Sequence, residues 1–126
     1  MSASGSSEVD GTWKMVRAEL NGEAAPELLL QRTALELANG EYCVRFAGDV
    51  TDTGTFELGR NPVWKTMRLR GVEGLNAGRT IPCIYQLAGT RLRICYGLDG
   101  VEPSEFRTQG ANPRYLVSYR RKEPEL

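Results

Sequence analysis

From Gly11 to Arg121 most of the chain alternates apolar and polar residues with a period of two, the pattern of half-buried β-strands. Residues 11–20 form the first such segment. Its apolar phase slips between Trp13 and Val16, which predicts a β-bulge there. Asn21-Gly22 predicts a turn, and Pro26 suits the first turn of a short helix over 26–32 with Leu28, Leu29 and Leu30 to bury. Residues 33–38 and 41–47 flank Asn39-Gly40, a strong two-residue hairpin signal. That turn pairs Leu37 with Tyr42 and Leu35 with Val44, so turn chemistry and apolar phase agree on one register.

The pattern continues through strands at 53–58 and 63–70, separated by Asn61-Pro62. Phe56, Leu58, Met67 and Leu69 take the inward phase there, and Arg68 and Arg70 the outward one. Residues 71–78 read as a loop, and Asp49, Thr51, Asp52 and Thr53 as an oxygen-rich turn. A second hairpin joins 80–87 to 91–96 around Gly89-Thr90, pairing Leu87 with Leu92 and Tyr85 with Ile94. It turns Cys83 inward and Cys95 outward. A long connection, 97–113, precedes the last strand at 114–121, where Tyr115, Val117 and Tyr119 share a face. Eight short antiparallel strands in one apolar phase close into a barrel or stack as a sandwich. The tight hairpins favour an all-β, eight-stranded up-and-down antiparallel barrel, with one short helix between its first two strands.

Length and composition narrow the picture. A chain of 126 residues fits one domain. The pattern bounds it at 10–122, with disordered tails at 1–9 and 123–126. Sixteen basic and sixteen acidic side chains cancel, which argues against nucleic-acid binding through bulk charge. The absence of histidine removes the commonest general base and metal ligand. No apolar run approaches the roughly 18 residues that span a bilayer, and Met1–Ser7 has no signal-peptide pattern. Three cysteines at 43, 83 and 95 match no metal spacing and read as free thiols in a reducing cytoplasm.

Candidate chemistry is sparse. Lys65 shares the inward phase of Met67; it either anchors a carboxylate or acts as an amine nucleophile inside the barrel, or snorkels from a strand end. The five tyrosines lie on or beside the inward phase, as polar handles around a ligand or as partners of backbone and water. Trp64, beside the outward Arg68 and Arg70, is either a contact point for a protein partner or second copy, or a cover for its own loop. Residues 1–60 carry five basic and ten acidic groups, and residues 61–126 eleven and six. That split reads as a basic wall or as opposite charges meeting where the barrel closes. No nucleophile has an identifiable base, so no catalytic residue, metal or cofactor is assigned.

Gly11-Thr-Trp13 resembles the Gly-x-Trp signature of lipocalins and the calycin superfamily. More of the chain resembles a lipocalin-like domain family abundant in planctomycetes and related bacteria. The matching stretches include Gly54-Thr-Phe56, Lys65-Thr-Met-Arg-Leu69, Ile84-Tyr85-Gln-Leu87, Leu92-Arg-Ile-Cys-Tyr96, Pro103-Ser-Glu-Phe106 and Leu116-Val-Ser-Tyr-Arg-Arg121. Cys83 stands where the family has glycine. The resemblance implies a calycin barrel and no established activity. It also implies an arginine on the last strand packed over the signature tryptophan: Arg121 by phase, or Arg120 if the strand slips by one. By that analogy the expected function is non-catalytic binding of a small apolar or amphipathic ligand, lined by Tyr42, Phe46, Phe56, Lys65, Met67, Tyr85, Tyr96 and Tyr119, with the helix leucines capping the open end. The alternative is a protein-interaction or inhibitor module with a filled barrel.

Overall fold

A computed structural model describes residues 7–122. The chain runs β1 (Gly11–Leu20), β2 (Glu23–Ala24), α1 (Glu27–Arg32), β3 (Thr33–Ala38), β4 (Glu41–Phe46), β5 (Asp49–Arg60), β6 (Lys65–Gly74), β7 (Thr80–Ala88), β8 (Arg91–Gly97) and β9 (Arg114–Arg121). Strands β3 to β9 pair in chain order. β1 joins β3 on one side and β9 on the other, closing an eight-stranded antiparallel barrel of lipocalin-like form. The two-residue β2 only extends the turn after β1. No helix among the described residues is long and apolar enough to cross a membrane.

Both hairpin registers follow from their turns. Leu37 faces Tyr42 and Leu35 faces Val44; Leu87 faces Leu92 and Tyr85 faces Ile94. Asn39 and Gly40 take φ of 52° and 79°, the left-handed pair that a type I′ turn requires. The bulge in β1 falls between Met15 and Arg17 against β9, leaving Val16 and Arg17 both exposed. It lets Trp13, Met15 and Ala18 all point inward despite their uneven spacing.

β5 begins at Asp49 rather than 53, and its turn with β4 is Ala47-Gly48, with φ of 53° and 89°. The oxygen-rich stretch is therefore strand, not turn. A bulge opposite Val44 and Arg45 sets Asp52 on the inward face. β6 runs on to Gly74, with a second irregularity where it passes Thr53 and Gly54.

The helix also differs from expectation. Leu30 is buried and Leu28 is exposed. β1 pairs with β3 only from Gly11 to Lys14, and α1 packs against β1. Leu30 thus packs at the side of the barrel beside β1, and no residue of α1 borders the internal cavity.

The barrel has a closed end, and the supposed tail helps to build it. Residues 7–9 are ordered, whereas 1–6 and 123–126 lie outside the described residues. Val9 is fully buried, and its carbonyl accepts the Trp13 indole N–H at 2.9 Å. The Arg121 guanidinium lies 4.3 Å from the Trp13 ring, a cation–π contact worth about 0.5–2 kcal/mol. It also donates to the carbonyls of Asp10 at 2.6 Å and Glu8 at 3.2 Å. A Cβ at Gly11 would come within 2.6 Å of the Arg121 Nη1, and φ there is +145°, so glycine suits this corner on both counts.

The seam between β1 and β9 does not join opposite charges. Lys14 faces Arg120, which in turn faces Arg91 on β8, a row of like charge along the outer wall.

Removing residues 1–9 should lower Tm by about 10 °C in a thermal melt. The change exposes the apolar surface that Val9 covers, strips the Trp13 indole of its acceptor and Arg121 of the Glu8 carbonyl, a loss of about 2–4 kcal/mol. Arg121→Ala should cost about half as much. An unchanged melt for the truncation would mean that residues 7–9 are dispensable.

Candidate functional site

The eight side chains singled out as ligand contacts separate into two groups. In the closed half, Phe56, Met67 and Tyr85 are buried in the core and none lines the internal cavity. Lys65 is partly exposed, with 40% of its side-chain surface open, and pairs with Glu8 at 2.8 Å. Glu8 accepts the Tyr85 hydroxyl at 2.7 Å as well. The Lys65 hydrogen bond, then that of Tyr85, lowers the Glu8 carboxyl below its usual range. The ammonium is thus paired with a carboxylate of its own chain, and Lys65 does not border the internal cavity. Phe46 has the inward parity but sits exposed at the far end of β4. It too lines no part of the cavity.

Tyr42, Tyr96 and Tyr119 do come together in the open half, around an internal cavity of about 200 Å³. Met15, Leu35, Val44, Leu69 and Ile81 supply its apolar wall, and Leu75 and Leu98 stand at its mouth. Leu75 is 80% exposed although it borders the cavity, which places it at the rim. A larger groove of about 550 Å³ beside α1 is more open to solvent than this one.

The polar groups of the cavity converge on Asp52, which is only 4% exposed. Its Oδ1 accepts the Tyr42 hydroxyl and the Asn76 backbone N–H, both at 3.3 Å. Its Oδ2 accepts the Asn76 amide at 2.7 Å. The Arg79 guanidinium donates to the Asn76 side-chain Oδ1 at 3.0 Å and to the Leu98 backbone carbonyl at 2.6 Å, tying the two sides of the mouth together. Gly54 makes the arrangement possible: a Cβ there would collide with the Arg70 carbonyl and lie 2.6 Å from the Tyr42 ring.

Opposite Asp52, the Tyr96 and Tyr119 hydroxyls share a 2.6 Å hydrogen bond, and the Tyr96 ring lies tilted on Tyr115 at 5.6 Å. One hydroxyl of the pair donates to the other, so one O–H is left without an acceptor among the described residues.

Burial pushes all five tyrosines above the ordinary phenol pKa. The Asp52 charge adds to this at Tyr42, the Glu8 hydrogen bond at Tyr85, and neighbouring Tyr119 at Tyr96.

Sequence reasoning missed Asp52, Asn76 and Arg79. The parity of Asp52 with Gly54 and Phe56 carried a signal, but the preceding bulge interrupts the alternation. Asn76 and Arg79 belong to a connection whose position over the mouth no local pattern shows.

The outer wall is also rearranged. Trp64 donates its indole N–H to the Ser104 carbonyl at 3.0 Å and packs edge-on to Phe106 at 4.8 Å. The Arg93 guanidinium lies over the Phe106 ring, 4.0 Å from its centroid. Trp64 therefore holds the long connection, whereas Arg68 and Arg70 stay exposed. The connection also covers Cys95, which points away from the barrel yet is fully buried, its thiol donating to the Arg107 carbonyl. Burial pushes the thiols of Cys83 and Cys95 up, so neither is an activated nucleophile. Among the described residues no group of three or more acidic or cysteine side chains has the geometry to hold a metal.

Comparisons with protein-family models, with curated proteins and with solved structures find no match to this chain.

The tyrosines give a pH prediction. Each is raised in the folded state above the ordinary phenol value of about 10, so their contribution to stability is complete below that pH and is lost as pH rises beyond it. Native protein at a pH of about 11 should show little phenolate absorbance, whereas urea-unfolded protein should titrate all five phenols near 10. Alkaline unfolding should coincide with their ionisation. Reversible titration of the folded protein near 10 would contradict this burial.

Proposed function

We propose that this barrel binds one small, largely apolar molecule in the cavity at its open end, without catalysing a reaction on it. The observation that carries the reading is the contrast between the two halves. The closed half is packed, and the open half encloses about 200 Å³ of apolar-walled space with a few converging polar groups. That combination is the usual form of a small-ligand site. The resemblance of Gly11, Trp13 and Arg121 to the lipocalin signature supports the same assignment.

Volume sets the size of the ligand. A dry cavity of about 150 Å³ holds a benzene molecule, whereas drug-sized pockets run from about 300 Å³ upward. The cavity therefore suits one ring or a branched alkyl group with a short substituent. A long fatty chain does not fit, and Lys65 lies at the wrong end to receive its carboxylate.

A second reading has one observation in its favour. The row Lys14, Arg120 and Arg91 sets like charges on neighbouring strands, and an anionic partner would relieve their repulsion. That surface, rather than Trp64, is where an interaction module would work.

Binding is tested by ligand-observed NMR with a neutral one-ring probe, 2-phenylethanol. Saturable one-to-one binding is expected. Val44→Trp, which fills the cavity from its wall, should weaken it at least about tenfold while the protein stays folded. Met67→Leu, a near-isosteric change in the packed half, should leave it unaltered. Equal binding by wild type and Val44→Trp would exclude the cavity as the site.

A further inference from the structure

The cavity holds a carboxylate that has no cationic partner among the described residues. Asp52 is buried, and its three hydrogen-bond donors are a phenol, a backbone amide and a side-chain amide, all neutral. Among the described residues no lysine or arginine forms an ion pair with it. Arg79 reaches it only through the Asn76 amide. A buried charge is normally paired, because leaving water is costly without a counter-ion.

The hydrogen bonds themselves leave room for a further donor. A carboxylate offers about four acceptor positions. Here Oδ2 uses one, and the two bonds to Oδ1 are both long at 3.3 Å. The remaining wall suits a cation as well. Tyr42, Tyr96, Tyr115 and Tyr119 all border the same space, and electron-rich ring faces attract an ammonium.

We propose that the ligand is a small primary amine carrying one ring or a compact alkyl group. Its ammonium is received by Asp52 and the tyrosine faces, and its apolar part by Leu35, Val44, Leu69 and Ile81. This rests on the cavity reading above and narrows it to one chemical class. Carboxylic acids of the same size are excluded by repulsion from Asp52. Asn76 and Arg79 act as positioning residues that hold the carboxylate towards the cavity.

Calorimetric titration near neutral pH with three probes of one shape tests the assignment: 2-phenylethylamine, 2-phenylethanol and phenylacetate. The amine should bind about tenfold or more tighter than the alcohol, and phenylacetate more weakly than the alcohol. In Asp52→Asn the amine and the alcohol should bind alike. If the alcohol binds as well as the amine in wild type, the amine assignment is wrong and the cavity reading stands. If none of the three binds, both fall. The wild-type comparison decides the matter even if Asp52→Asn fails to fold.

Discussion

The fold depends on β1 pairing with strands on both sides at once. A sheet of eight strands leaves two edges, each a row of unpaired backbone groups open to association with other chains. β1 removes both by bonding β3 along its first four residues and β9 along nearly its whole length. Two neighbours diverging around the barrel cannot both be followed by a regular strand. The bulge at Val16 turns β1 away from β3 and towards β9, and restores the inward phase at Ala18. The gap that opens beside β3 is filled by α1 and its buried Leu30. One irregular residue thus accounts for the closure, the side-on helix and the odd spacing of core residues in the first strand.

Closure makes the two ends different. Trp13, Leu37, Phe56, Met67 and Tyr85 point into one half, and together with Val9 they fill it. In the other half β3, β4 and β5 contribute the smaller Thr33, Val44 and Asp52, facing tyrosines from β8 and β9. Small residues opposite large ones leave space at native packing density only where no chain segment enters to occupy it. Residues 7–10 cross the closed end, held by Trp13 and Arg121. At the open end Leu75 and Leu98 reach the rim without entering.

What the sequence made legible follows the same logic. The strand registers could be read where two independent signals coincide, as at Asn39-Gly40 and Gly89-Thr90. The position of Tyr42, Tyr96 and Tyr119 inside the barrel followed from parity alone. Parity failed where backbone irregularity intervenes. Ala47 takes a left-handed turn that its residue type does not advertise, so the start of β5 and the inward face of Asp52 were hidden. It also failed to say how deep an inward residue lies: Phe46 has the right phase and the wrong height. Burial on the outside was beyond local pattern altogether, because Cys95 is covered by the connection that Trp64 and Thr108 strap down. Thr108 does so by donating to Glu19 and accepting from the Gly22 amide, both long-range contacts that no short segment encodes.

Two carboxylates of the barrel, Glu8 at the closed end and Asp52 inside, are held differently. Glu8 meets Lys65 and the Tyr85 hydroxyl at the closed end, where the ion pair is partly exposed and neutralised within the chain. Such a pair seals the barrel and leaves no charge for anything else. Asp52 lies deeper, receives neutral donors only, and faces a cavity instead of a packed core. A core built for stability alone would favour an apolar residue at that height, since neutral hydrogen bonds offset a buried charge less well than a cation does. Holding the carboxylate in place takes Asn76 and Arg79 from a loop, together with a glycine opposite Tyr42. These residues as a group carry the amine proposal: a buried carboxylate with neutral donors, beside a cavity that is open at one end.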